Sequence, residues 1–282
     1  MITYRSRFLT RAEVWFDDEA TENVGIDWIL YRQRSGPVRG AKSRSFYTRL
    51  IDLSQSGEEL VAGLSEDTAY KIRRARDRDG IICEWHDARD PAVISRFEEI
   101  YKLFAGKKGL PELNRPLMES RAAAGTLDIC SAKDAKGNTL VYHAYYRNSR
   151  RASQLESPSL YRTFLDSTTR NFCGRANRYL TWNNILRYKT QGLESFDFGG
   201  WYHGSDPELL NINEFKRGFG GKITREYQCE QIVTLKGRVV LGVARLLERA
   251  KARQRGRNCA PTKCTNGFPR VEVFCGGGVG ES

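Results

Sequence analysis

Residues 192–221 read GLESFDFGGWYHGSDPELLNINEFKRGFGG, and the way this stretch is parsed decides the fold. Gly192 suits a helix C-terminus, where a left-handed backbone costs little without a Cβ. Phe196 and Phe198 then alternate with Asp197 at the period of a strand. Gly199 and Gly200 end that strand and allow close backbone approach. A polar loop follows, and a compact FKRGFGG segment closes the stretch. Phe215 and Phe219 read there as core anchors that hold Lys216 and Arg217 beside a ligand. Gly218, Gly220 and Gly221 leave backbone N–H groups unshielded for anions or carbonyls. The plainer alternative is a glycine-rich hairpin with solvated cations.

Working outward, 282 residues bury a large core in one or two domains. With 40% hydrophobic and 28% charged residues the composition is that of a soluble globular protein rather than a fibrous or disordered chain. No apolar run approaches the ~18 residues of a membrane span, and the N-terminus lacks the apolar stretch of a signal peptide, so the expected location is cytoplasmic. The seven cysteines show no disulfide rhythm and read as reduced thiols. Cys259, Cys264 and Cys275 lack a histidine nearby to complete a metal site, and no metal is expected. The formal charge of +12 favours a polyanionic partner: nucleic acid, tRNA, a diphosphate-linked substrate, coenzyme A or an anionic membrane surface.

Residues 1–50 read as mostly extended, with strands over 25–33 and 45–53 and a basic loop from Arg32 to Arg44. Ser56 and Glu59 have capping-box spacing, and a second helix over 66–79 ends at Gly80. Its Lys71, Arg74 and Arg78 recur near one turn, either as one edge of an anion cleft or as a solvated face balanced by Asp67, Asp77 and Asp79. A strand over 81–86, a helix from Pro91 to Gly109 and a helix over 114–124 follow. TLDICSA (126–132) and TLVYHAYY (139–146) flank a Gly137–Asn138 turn and form a hairpin. His143 reads as a packed structural histidine. A basic turn at 147–151 leads to a short strand at 152–156, then to helices over 158–173 and 176–191. Beyond Gly221 we expect a strand, a basic terminal helix over 239–256 and a poorly ordered tail, with VEVFC (271–275) as a small added strand.

Four separated motifs, in order, carry a resemblance: YTRLIDL (47–53), ELVAGLSEDTAYKIRRARDRDG (59–80), GLESFDFGG (192–200) and INEFKRGFGG (212–221). Across roughly residues 45–235 the chain resembles the FemAB-like branch of the GNAT superfamily of N-acyltransferases. The resemblance implies an α/β (α+β) fold, with a central mixed, mainly antiparallel sheet flanked by helices. It divides the chain into an N-terminal extension (1–44), a single acyltransferase domain (45–256) and a basic Cys/Gly-rich tail (257–282). It also implies transfer of an acyl or aminoacyl group to an amine in cell-envelope or polysaccharide biosynthesis. Classical members of the family use aminoacyl-tRNA on cell-wall precursors and carry two such domains, whereas the length here suffices for one. The donor is acyl-CoA or aminoacyl-tRNA, with no tightly bound cofactor. The acceptor is a small, sugar or peptide amine, and the protein sits in the cytoplasm or at the inner face of an anionic membrane. Acetyl-CoA-dependent members often carry a glycine-rich pyrophosphate turn that NSRRASQLESPS (148–159) lacks.

By its place in FKRGFGG, Lys216 resembles the family lysine near the acyl-donor end or a substrate phosphate. Asp197 and Glu214 are the nearest acids for orienting or deprotonating the amine; alternatively Asp197 faces solvent and Glu214 pairs with Lys216. Lys71, Arg74, Arg78, Tyr146, Tyr202, His203, Arg217, Phe219 and Gly220 complete the candidate substrate contacts. An amine attacking a thioester or ester must lose a proton, and the tetrahedral oxyanion must meet a donor. The competing reading is a non-catalytic tRNA- or nucleic-acid-binding protein with the same fold, which would bind with strong salt dependence.

Overall fold

The computed structural model describes residues 1–6, 8–20 and 25–258. The chain divides into two compact units, residues 1–44 with 227 onward, and residues 45–226. The expected domain over 45–256 therefore differs at its C-terminal side, where the residues after Glu226 group with the N-terminal segment.

In the first unit β1 (Ile2–Ser6) pairs antiparallel with β2 (Leu9–Trp15), and β2 pairs in parallel with β3 (Trp28–Arg34). The later part of β10 (Lys222–Ile232) runs antiparallel to β3. Ala12, Val14, Ile29 and Cys229 form one apolar cluster, and Leu9, Trp28 and Leu30 another with Leu241 of α7 (Leu235–Asn258). Asp27 ties the starts of three elements together. Its carboxylate accepts from Thr10 N at 2.9 Å, Thr234 Oγ1 at 2.6 Å and Lys236 Nζ at 3.0 Å. Thr234 Oγ1 in turn accepts from Gly237 N at 3.0 Å, which caps α7 four residues earlier than the sequence suggests.

The Thr234 and Thr10 hydrogen bonds hold the Asp27 carboxyl down at about 2. Because its folded value lies below the ordinary one, the stability it contributes is present above about pH 4 and is lost as pH falls toward 2. Asp27→Ala should cost about 2 kcal/mol in denaturant unfolding at neutral pH, and a loss below a quarter of that would make the knot incidental.

In the second unit the strand order is β10, β4 (Lys42–Asp52), β9 (Ser195–Gly200), β8 (Arg151–Glu156), β7 (Thr139–Arg147), β6 (Leu127–Lys133) and β5 (Ile82–His86). The β5–β6, β6–β7, β7–β8 and β4–β9 pairs are antiparallel, whereas β8 and β9 run parallel. This is the mixed, mainly antiparallel sheet that the motif order implied. Seven consecutive residues of β7, Leu140 to Tyr146, are buried because helices cover both faces. Val141 and Tyr145 join Ile72 of α2 (Glu66–Asp77) and Leu180, Ile185 and Tyr188 of α5 (Ser167–Thr190). Tyr142 and Ala144 point the other way, to Phe97 of α3 (Pro91–Lys108) and Met118 of α4 (Arg115–Ala123). His143 lies on the α5 side, where its ring nitrogens meet Tyr145 Oη at 3.0 Å and Asn177 Oδ1 at 2.7 Å. Burial pushes its pKa down to about 4, so it is a neutral core group.

The first helix, α1 (Gly57–Ala62), has the expected capping box, and α3 ends at a left-handed Gly109. Two readings need correction. The helices expected over 158–173 and 176–191 are a 3-10 turn at Leu160–Thr163 and the single α5. Asp166 caps α5 by accepting from Thr169 N at 2.7 Å, so the threonines fall in its first turn, and Gly174 is absorbed mid-helix at about 1 kcal/mol. Further, the polar loop and FKRGFGG enclose α6 (Pro207–Arg217). Asp206 accepts from Glu208 N and Leu209 N, and Pro207 stands at the helix's first position, where its missing N–H is harmless. The VEVFC strand, the tail and the last three cysteines lie outside the described residues.

Candidate active site

β9 carries the centre of the site. Phe196 and Phe198 enter the apolar core beside Tyr145 and Phe219, which by strand alternation turns Asp197 to the opposite face. Asp197 is fully buried: Thr48 Oγ1 and Gly199 N donate to Oδ1, and Arg151 Nη2 donates to Oδ2. Arg151 also donates to both Glu226 oxygens, at 2.6 and 3.0 Å. Burial works against the Arg151 charge, but Asp197 and Glu226 outweigh it and hold its pKa above the ordinary value. Asp197 thus neither faces solvent nor lies open to an amine, because its oxygens are engaged by donors of the protein itself. The register places Tyr146, Ser153 and Asp197 in one lateral row on this face, and all three are buried.

Lys216 is delivered by the last turn of α6. The helix packs Leu209, Asn213 and Lys216 inward at i, i+4 and i+7, and Gly218 closes it against α2. At Gly218 a Cβ would lie 2.3 Å from Thr68 Oγ1, and the Gly218 carbonyl accepts from Ser65 N at 2.9 Å. Lys216 is 8% exposed, and Nζ donates to Gly200 O at 2.5 Å and Gly199 O at 3.5 Å. Burial lowers its pKa to about 8, with Asp197 opposing. An ammonium has three N–H donors, and these two carbonyls take two of them. The amine therefore stands at the end of β9 with one donor direction left over and a pKa near physiological pH. β8 and β9 pair over Arg151–Ser153 with Ser195–Asp197, and the ladder ends there although both strands continue.

The sign of the proton linkage follows. The folded pKa lies below the ordinary lysine value, so the cost of burying the ammonium is full below about pH 8 and vanishes as pH rises past the unfolded value. Relative to Lys216→Met, the wild-type chain should gain about 2 kcal/mol between about pH 7 and 9.5 in urea unfolding. A pH-independent difference would mean that the lysine titrates normally.

The other candidates fall into four groups. Glu214 and Arg217 are exposed and pair with each other at 2.6 Å, so Glu214 does not pair with Lys216 and points away from it. The Arg217 guanidinium also lies 5.8 Å from the Trp201 ring, and that of Arg49 5.2 Å from it. Phe219 is an anchor, as read, in ring contact with Phe198 and Phe215. Gly218 N and Gly220 N are spent on the Glu214 and Arg217 carbonyls rather than left for anions. The Gly220 and Gly221 carbonyls accept from Arg49, the latter at 3.0 Å. Tyr202 binds Asn213 through its backbone, accepting at 2.7 Å, and His203 is exposed with its ring 4.3 Å from Tyr47. These two lie two and three residues beyond Gly200, whose carbonyl holds Lys216.

On α2, Lys71 pairs with Asp67 at 2.8 Å, Arg74 lies 3.7 Å from Asp79, and Arg78 is exposed at the C-cap. It is the first turn of α2, through Ser65 and Thr68, that meets the end of α6. Sequence reasoning missed Thr48, Arg49, Arg151 and Glu226 as site residues. Arg151 reads as the end of a basic turn, and its neighbours Arg150, Ala152 and Ser153 give no signal of its burial.

No protein-family model and no curated protein matches this chain. Solved structures do. FemX is similar over 74% of this chain and 73% of its own, at 13% identity and a TM-score of 0.56. The C-terminal domain of a chain described as a lysylphosphatidylglycerol synthetase from Agrobacterium fabrum is similar over 79% and 74%, at 13% identity and a TM-score of 0.49. Among the described residues no helix is long and apolar enough to cross a membrane. The likeness to FemX is one of fold, shared over about three quarters of each chain.

Proposed function

We propose that the chain is an acyltransferase that forms an amide between an activated acyl or aminoacyl group and an amine, with Lys216 at the reacting centre. The observation that carries this reading is an amine of pKa about 8, nearly buried, fixed on two carbonyls where the parallel strand pair ends. The acceptor amine first releases its ammonium proton to solvent; as its nitrogen attacks, neutral Lys216 takes a second N–H proton, and the ammonium so formed offers its spare N–H to the oxyanion of the tetrahedral intermediate. The C–N bond forms, the thioester C–S or ester C–O bond breaks, and the proton passes to the departing sulfur or oxygen. The Asp197–Arg151–Glu226 cluster holds β9 against β8 and so fixes the carbonyls on which Lys216 rests.

The donor is acyl-CoA or aminoacyl-tRNA, in keeping with the charge of +12, and the acceptor belongs to cell-envelope or polysaccharide synthesis. The purified chain, given both donor classes and a panel of amino sugars and peptides, should yield an amide product by mass spectrometry. Lys216→Ala should lower turnover about a hundredfold or more while KM changes little. Donor binding without any product across the panel would favour the tRNA-binding reading instead.

A further inference from the structure

Helix α7 has two apolar sides, and the fold uses one. Leu241 is buried and, with Val240, packs on Leu9, Trp28 and Leu30 of the first unit. Leu235, Val239, Val243, Leu246 and Leu247 stand 75, 57, 51, 65 and 58% exposed. Their spacing of i, i+4, i+8, i+11 and i+12 gathers them on an arc of roughly a third of the helix circumference. Lys236, the charged residue inside that arc, turns its Nζ to Asp27 Oδ2 at 3.0 Å. An ordinary solvated face would carry charges where this one carries leucine and valine. Over 235–258 the sequence holds eight Lys or Arg against one acid, Glu248.

We propose that α7 docks in the plane of an anionic lipid bilayer, with the apolar arc at the acyl boundary and the basic residues among the headgroup phosphates. The choice of occupant rests on matching both features at once. A second copy would bring a like-charged helix against this one, and a nucleic acid would pair the cations but leave the leucines and valines in water. An anionic bilayer takes up apolar area and positive charge together. The helix is too polar to span a membrane, so it lies on the surface, and the apolar arc over residues 235–247 offers about 20 Å of contact length. This inference does not depend on the acyl-transfer reading.

The test is flotation of the full chain with vesicles of phosphatidylcholine alone or mixed with phosphatidylglycerol. The chain should float with the mixed vesicles, be released by salt, and remain behind with phosphatidylcholine alone. Val239→Glu with Val243→Glu should lower partitioning about tenfold or more without changing the thermal melt, since both positions are exposed. In Leu246→Trp the added indole emission should shift to the blue and be quenched by brominated lipid. Equal binding to neutral vesicles, an unaffected double variant, an unquenched indole, or a dimer in light scattering that the double variant dissolves would each overturn the proposal.

Discussion

Arg151→Met is expected to lower stability by about 3–5 kcal/mol, because it strands the buried Asp197 and Glu226 carboxylates without their shared cation. At about 2–4 °C per kcal/mol for a unit of this size, the melting temperature should fall by roughly 10 °C. The methylene stem is kept, so the loss reports charge rather than packing. Adding Asp197→Asn and Glu226→Gln to Arg151→Met should recover a large part of it, because the stranded charges are then gone. If the triple variant is no more stable than the single one, the cluster holds the strands by shape and hydrogen bonding, and ion pairing is secondary.

Gly221→Ala is expected to cost about 3 kcal/mol or more, the sum of left-handed strain and a backbone collision. Gly221 has φ +81°, and a Cβ there would lie 2.3 Å from the Leu50 carbonyl oxygen. That oxygen belongs to a strand paired with β9, so it cannot swing aside as a flexible side chain would. Gly106→Ala is the matched control: it lies inside α3, meets nothing within 4 Å, and should be neutral or stabilising by up to about 1 kcal/mol. Equal melting temperatures for the two variants would contradict the close approach at Gly221.

The contrast between these positions explains how much the sequence disclosed. What depends on neighbours in the chain was legible: the Ser56–Glu59 capping box, the left-handed Gly109 and the Gly137 hairpin. Lys216 was singled out by its place in FKRGFGG, through the resemblance that motif carries. Its environment was not legible, since the carbonyls it binds belong to another element, 16 and 17 residues away. Nor was the partner of Asp197, because Arg151 lies 46 residues upstream and its second partner, Glu226, 75 residues downstream of it. Glu214 drew attention by lying near Lys216 in the chain, yet the two steps between them along a helix turn a side chain by about 200°, and Arg217 took the pairing instead. α6 was overlooked although Asp206–Pro207 is a start signal, because asparagines and the preceding glycines lowered the apparent helix content of the stretch.

The parallel register of β8 against β9 also bears on the order in which the chain assembles. β7 and β8 are joined by a short turn, so that hairpin closes quickly and sets Arg151 in place from local contacts. β9 must travel around the 24-residue helix α5 before it can lie beside β8, and β10 must arrive from farther still. Loop closure delays both steps. On this argument the guanidinium is expected to stand on a preformed edge before Asp197, Lys216 and Glu226 reach it.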